Sequence, residues 1–405
     1  MLLTWALRRL IRSGHLTLID AFGRRHEFGQ AGAKPAATFR IKDKSLHRKL
    51  ALNPDLALGE AWMDGTIEVE NGTLDDFLTV LSVNLDTAPP APWDVPVKKL
   101  APLFRRLQQW NPVNRARQNV ADHYDLSDRL FELFLDADRQ YSCAYFIRPD
   151  VTLEQAQADK KRHIASKLRI EPGMRVLDIG SGWGGLAIYL AAQCGAEVTG
   201  LTLSTEQLAK SRERARESGL EDHVRFELRD YREETAQYDR IVSVGMFEHV
   251  GVNHYGAFFD KLRDLLTPNG VALLHAIGRM DGPGTTNAWA RKYIFPGGYA
   301  PALSEVLPVI ERAGLWFTDV EILRLHYAQT LHHWHERFQA HRAEIARIYD
   351  ERFCRMWEFY LKGAEMDFRY LRTMVFQLQI TRDIAAVPLT RDYMTDWERA
   401  HPALP

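Results

Sequence analysis

Cysteine is scarce in this chain. Of 405 residues only Cys143, Cys194 and Cys354 are cysteines; they lie far apart, which excludes both the short-spaced disulfide framework of a small secreted protein and any CxxC metal pair. A reducing cytosol is the expected compartment. Long apolar runs are missing too: a stretch such as GVALLHAIG (270–278) falls far short of the ~20 residues that span a bilayer, so membrane contact is expected to be peripheral. The N-terminal MLLTWALRRLIRSG is apolar only in patches, because Arg8, Arg9 and Arg12 interrupt it and no small-residue cleavage site follows. It does not read as a signal peptide. The sequence carries no internal repeat and no low-complexity tract.

What is present is an ordinary globular composition, 46% hydrophobic and 26% charged, long enough for sizeable cores in two domains or one domain with appendages. Net charge is −1 but unevenly spread: residues 1–120 carry 17 Lys+Arg against 12 Asp+Glu, the remainder 35 against 41. A basic front of this kind marks either a surface for anionic lipid or nucleic acid, or simply a solvated face. Residues 1–85 read as a smaller α+β domain, with strands at LTLID and ATFRI and helices at DLALGEAWMDG and TLDDFLTVLSV. Pro89, Pro90, Pro92 and Pro96 then crowd into DTAPPAPWDVP, so 86–120 reads as a linker followed by a helix. From 121 to 405 the pattern becomes that of a catalytic domain. The short apolar strands MRVLDIG, AEVTGLTLS, VRFELRD, DRIVSVG and GVALLHAIG alternate with helical stretches, which predicts an α/β, doubly wound, mostly parallel sheet with ligands at the carboxyl ends of its strands. Residues 330–375 read as long helices.

LDIGSGWGG (177–185) follows the first of those strands and opens a helix, where glycine turns bring backbone N–H groups to a ligand. It fits two templates. Gly180, Gly182 and Gly185 satisfy the GxGxxG of dinucleotide sites, while Asp178, Gly180, Gly182 and Gly184 satisfy the DxGxGxG of S-adenosylmethionine enzymes. The acid expected ~20 residues later for a ribose is missing, since the second strand ends in Thr202. Asp178, placed to meet a cationic aminoacyl group, and Asp230, placed to meet an adenine amine, favour a Rossmann-like methyltransferase domain. His332, His333 and His335 of LHHWHER lack a carboxylate or cysteine set at metal spacing, so no metal is expected.

Together HYDLSDRLFELFLD, YSCAYF, LDIGSGWGG, LTLSTEQ, VSVGMFEHVG, LLHAIG and YIFPGG make the chain resemble the cyclopropane-fatty-acyl-phospholipid synthase family from about residue 45 to about 380. It is similar to mycolic acid cyclopropane synthases as well, but those lack an N-terminal domain of this kind. The resemblance implies methyl transfer from S-adenosylmethionine to a cis double bond of a phospholipid acyl chain, then proton loss to a bound bicarbonate and ring closure. An alkene needs no deprotonation to act as a nucleophile, so the site has to offer a close sulfonium, a base beside the new methyl, and surroundings that tolerate a carbocation, as aromatic faces do.

By the same resemblance the bicarbonate holders are Cys143, Glu248, His275, the backbone of Ile277, and Tyr327, with Cys143 a hydrogen-bond donor and not a nucleophile. The S-adenosylmethionine holders are Tyr141, Ser142, Gly180, Gly182, Thr202, Gln207 and Asp230, beside Asp178 from the loop pattern. Ser181 stands where many relatives carry cysteine, which matters little if the loop works through its backbone. A homodimer located at the inner face of the membrane, with no nucleic-acid partner, is the accompanying expectation. A branched methyl or methylene product, a non-catalytic lipid binder and a nicotinamide oxidoreductase remain the alternatives.

Overall fold

The computed structural model describes residues 2–87 and 127–402; most of the expected linker and helix at 86–120, and the start of HYDLS, lie outside them. Two compact units are present. Among the described residues, unit 1 comprises 2–87, 286–296 and 328–373, and unit 2 comprises 127–285, 297–327 and 374–402.

Unit 1 contains a four-stranded sheet in the order β2-β1-β3-β4, built from β1 (His15–Ile19), β2 (Arg25–Gly29), β3 (Ala36–Ile41) and β4 (Ile67–Asn71). Leu16, Leu18, Phe39, Ile41 and Ile67 bury their side chains against Phe77 and Val80 of the helix Leu74–Leu85. Thr73 starts that helix with a capping box: its hydroxyl accepts the Asp76 N–H, and Asp76 accepts the Thr73 N–H. Buried Asn84 near the other end accepts from the N–H groups of Arg12 and Ser13 and donates to the carbonyls of Ser13 and Val80, 2.8–2.9 Å each. All four of its hydrogen-bonding positions are thereby satisfied, fixing where the first helix (Leu2–Leu10) hands over to β1. Unit 1 is not the N-terminal stretch alone, because the aromatic-rich helix Glu351–Tyr370 packs on the helices Pro54–Met63 and Leu74–Leu85 and sends Met366 into the same core.

Unit 2 is organised by a seven-stranded sheet, β10-β11-β9-β8-β5-β6-β7. The five expected strands are β5 (Arg175–Ile179), β6 (Glu197–Thr202), β7 (Val224–Leu228), β8 (Tyr238–Val244) and β9 (Leu266–Arg279), and they pair in parallel. β10 (Trp316–Ile322) and β11 (Thr373–Thr381), which the sequence reading left out, extend it with an antiparallel pair. β11 is buried at almost every position, including Gln377 and Gln379, so it shows none of the apolar alternation that marks a half-exposed strand. Val176, Val198, Val224, Val242 and Leu273 point to one face, covered by the helices Leu153–Leu168 and Gly185–Cys194. Leu177, Ile179, Ile241, Ala272 and Leu274 point to the other, covered by Tyr255–Leu265 and Leu303–Arg312. Burial on both faces suits a doubly wound Rossmann-like sheet. β5 pairs with β6 on one side and β8 on the other, so the strand order reverses at the carboxyl end of β5, where such sheets hold ligands.

No helix among the described residues is long and apolar enough to cross a membrane.

Candidate active site

The glycine loop leaves β5 at that reversal. Gly180 (φ +86) and Gly182 (φ +54) both adopt the left-handed conformation, and a Cβ on Gly180 would stand 2.9 Å from Cβ of Met246, too close for any larger residue. The Gly180 and Ser181 N–H groups donate to the Leu201 carbonyl at 3.0 and 2.9 Å, tying the loop to β6. A cavity of about 170 Å³ opens over it, and Tyr141, Ser142, Asp178, Gly180, Gly182, Thr202, Gln207 and Asp230 all line it. The eight positions expected to hold the cofactor therefore converge on one space.

Their chemistry is specific. Asp178 is buried, and its Oδ2 has no hydrogen-bond partner among the described residues; burial pushes its carboxyl up to about 7, opposed by the positive charge of Lys160. Such an orphaned oxygen facing a cavity suits a cationic ligand group. Thr202 donates its hydroxyl to Gln207 Oε1 at 2.9 Å and receives the Ser204 N–H at 3.1 Å, which turns the Gln207 amide so that its N–H groups are left for ligand hydroxyls, replacing the missing acid by a donor. Asp230 lines the cavity with its carboxylate gripped by Arg232, Nε at 2.8 Å and Nη2 at 2.7 Å.

The five candidates for the base site do not line this cavity; Cys143 and Glu248 adjoin lining residues along the chain, and the His275 carbonyl accepts the N–H of the lining residue Gly245 at 2.9 Å. Cys143, 1% exposed, follows the lining residue Ser142 and directs its thiol at the Ala144 carbonyl, 3.3 Å away. Glu248 precedes the lining residue His249 in a short 3-10 turn after β8. Its Oε1 accepts the Ile277 N–H at 2.6 Å, and its Oε2 has no partner among the described residues. Burial raises the Glu248 carboxyl to about 7, against the lowering effect of that N–H. The Ile277 backbone thus contacts the Glu248 carboxylate and orients it. His275, two residues earlier on β9, is held neutral by burial, down to about 3. Its Nδ1 lies 3.2 Å from Gln377 Nε2, so with the Gln377 amide donating to it the ring carries its proton on Nε2 and offers a donor there. Tyr327 is buried at the start of the helix His326–Ile348.

Other residues at the site escaped sequence reasoning. Arg139, Gln140, Trp183, Tyr231 and Met246 line the cavity, and Lys160 lies behind it with no accessible surface. A signal for Lys160 existed: it falls on the inward stripe Leu153, Ala156, Gln157, Lys160, Ile164 of the helix Leu153–Leu168, all buried, where a charge is out of place. The histidines 332, 333 and 335 form no metal set, and no cluster of three or more metal-ligating side chains occurs among the described residues.

Comparison with known proteins agrees with this geometry. A family model described as Mycolic acid cyclopropane synthetase matches residues 112–378, and one for a domain of unknown function (DUF7884) matches 17–88. The cyclopropane-fatty-acyl-phospholipid synthase of Escherichia coli K12 is 38% identical over 354 residues, 87% of this chain and 90% of that protein. A probable fatty acid methyltransferase of Pseudomonas putida is 37% identical over 83% of this chain and 85% of its own length. Among solved structures, the cyclopropane synthase MmaA2 of Mycobacterium tuberculosis superposes with a TM-score of 0.63 at 36% identity, covering 67% of this chain and 98% of that one. The strand order, the glycine loop at the β5 reversal and the extent of these matches together show that the chain belongs to the mycolic acid cyclopropane synthetase family and is a methyltransferase of the S-adenosylmethionine-dependent class.

Proposed function

We propose that this enzyme methylates the cis double bond of unsaturated acyl chains in membrane phospholipids and closes a cyclopropane ring, with bicarbonate as the base. When bound, S-adenosylmethionine supplies the electrophilic methyl group and bicarbonate accepts the proton lost on ring closure. The residues present fit both: an orphaned Asp178 oxygen and a positive-φ glycine loop for the first, an orphaned Glu248 oxygen on the turn after β8 and a neutral His275 with its Nε2 proton to donate for the second. The observation that carries the reading is the pairing of Ser142 with Cys143 and of His249 with Glu248, in which one neighbour lines the methyl-donor cavity and the other is buried behind it. The residues that would hold methyl donor and base are thereby neighbours in the chain, which would bring the two groups together as ring closure requires.

The test is incubation with methyl-deuterated S-adenosylmethionine and vesicles of a monounsaturated phosphatidylethanolamine, followed by NMR of the recovered acyl chains. Cyclopropane protons support the proposal. A methyl or methylene branch assigns the chain to the fatty acid methyltransferases, as the Pseudomonas relative is described, and no label in lipid refutes an acyl substrate. Cys143→Ser is expected to retain partial turnover, because a hydroxyl still donates to an anion; complete loss together with loss of a covalent adduct by mass spectrometry would show a nucleophilic cysteine instead.

Substrate in a bilayer also calls for a surface anchor, and the helix Leu2–Leu10 suits that task. Leu3 and Leu7 are buried, while Leu2 and Trp5 are 47% and 42% exposed beside exposed Arg8, Arg9 and Arg12. Each basic residue near an anionic surface is worth about 1 kcal/mol. Deleting residues 1–85 is a poor test, since it would strip the helix Glu351–Tyr370 of its packing partners. The triple variant R8E/R9E/R12E is expected to lose sedimentation with phosphatidylglycerol vesicles in low salt, as the wild-type chain should lose it when salt screens the charges. Unchanged sedimentation would reassign the segment to folding or to dimer formation.

A further inference from the structure

Lys160 is a fully buried cation of unit 2 that the mechanism above leaves unused. Its side chain has no accessible surface, and among the described residues no carboxylate oxygen lies within ion-pair distance of it. The ammonium donates instead to two neutral groups, Gln140 Oε1 at 2.6 Å and Ser142 Oγ at 2.8 Å. Both residues line the cavity. Gln157, one turn earlier on the same helix, donates its amide to the carbonyls of Gln140 and Ser142 at 3.2 and 3.0 Å, so the helix grips the 140–142 segment from behind at four points. Gln140 is itself fixed by donating Nε2 to Asp138 Oδ2 at 3.0 Å.

Two consequences follow from elementary chemistry. A hydroxyl that accepts from an ammonium has its own proton turned away from it, so Ser142 presents an O–H to the cavity. A buried cation without a contacting counter-charge is costly and favours an anion nearby. The surrounding charges define where that anion belongs. Asp136 and Asp138 act on Lys160 only through space, and Asp138 is already neutralised by Lys161 and Arg214. On the cavity side the Lys160 charge reaches Asp178, whose orphaned oxygen seeks a cation. The cavity wall is therefore polarised, with a carboxyl at Asp178 and an ammonium relayed through the Ser142 hydroxyl.

We infer that Lys160 is a positioning residue for the zwitterionic aminoacyl end of the methyl donor, polarising Ser142 to take the donor's carboxylate while Asp178 takes its amino group. The inference rests on the S-adenosylmethionine reading of this cavity and adds to it a residue that does not line the cavity. It also explains why burial tolerates the charge: burial lowers the Lys160 ammonium to about 8, which leaves it protonated at neutral pH.

The experiment is isothermal titration of the wild-type protein and of Lys160→Met with S-adenosylmethionine and with decarboxylated S-adenosylmethionine, which keeps the sulfonium and the amine but lacks the carboxylate. Wild type should prefer the carboxylated ligand at least about tenfold, the lower range for a hydrogen bond to a charged group. Lys160→Met should lose that preference while binding the decarboxylated ligand within about twofold of wild type. Equal weakening toward both ligands would reduce Lys160 to a structural role and overturn the inference. Failure of the wild-type protein to bind either ligand would instead overturn the cofactor reading, and this inference with it. Should Lys160→Met not fold, Ser142→Ala leaves the ammonium in place and carries the same test, since loss of the hydroxyl alone should abolish the preference; a retained preference there refutes the relay.

Discussion

Glu248→Gln is expected to lower kcat by about a thousandfold, within the range for losing a positioned acid or base, while the dissociation constant for S-adenosylmethionine stays within about twofold. The variant is chosen for its geometry. A glutamine carbonyl still accepts the Ile277 N–H that Glu248 Oε1 accepts at 2.6 Å, so the turn after β8 is preserved. What disappears is the second, orphaned oxygen, which in glutamine becomes an N–H₂ donor unable to take a proton from a bound anion. Because burial holds the native carboxyl near 7, the wild-type group can exchange a proton at neutral pH, which the amide cannot. Glu248→Ala should be as inactive, and in addition less stable, since it leaves the Ile277 N–H unsatisfied in the core. Single-turnover rates on vesicles, set beside calorimetric binding of the cofactor, check both halves. Wild-type turnover in Glu248→Gln would remove Glu248 from the chemistry, and a parallel loss of cofactor binding would move it to the cofactor site.

A second large effect is expected at Asp178. Its carboxyl is raised to about 7 by burial, and a cationic amino group favours the ionised form, so binding releases a proton. Cofactor affinity should accordingly increase as pH rises from about 5.5 to 7, by up to about tenfold per unit while the group is mostly protonated. Asp178→Asn should flatten that dependence and weaken binding about a hundredfold, the scale for truncating one partner of a buried charge pair. The protein without ligand should behave in the opposite sense. A carboxyl whose folded pKa exceeds its unfolded value binds its proton more tightly when folded, so its contribution to stability is present below about 4 and is lost as pH rises toward 7. The melting temperature of Asp178→Asn relative to wild type should therefore be higher at pH 7 than at pH 5. An equal difference at both values, with unchanged binding, would show that Asp178 stays buried and inert.

The sequence by itself determined the five parallel strands and the glycine loop at the end of β5, because each is a local matter; eight of the residues that line the cavity were legible through the resemblance of their motifs to a known family. Strand periodicity, the left-handed glycines and the Thr202–Gln207 spacing act within one strand and the turn that follows it. The tertiary structure decided the rest. β11 is hidden in sequence because its glutamines are buried and reach distant partners, Gln377 Nε2 beside His275 Nδ1 and Gln379 Nε2 on the Lys167 carbonyl and the Tyr393 hydroxyl. The helix Glu351–Tyr370 reads as part of the catalytic stretch, yet packs with the N-terminal sheet's helices, since an apolar stripe states that it is buried and not against what. That Ile277 serves Glu248 through its backbone, and that a lysine in an apolar stripe polarises a cavity serine, follow from approaches between segments 29 and 18 residues apart. Sequence spacing does not encode such contacts; packing of the doubly wound sheet creates them.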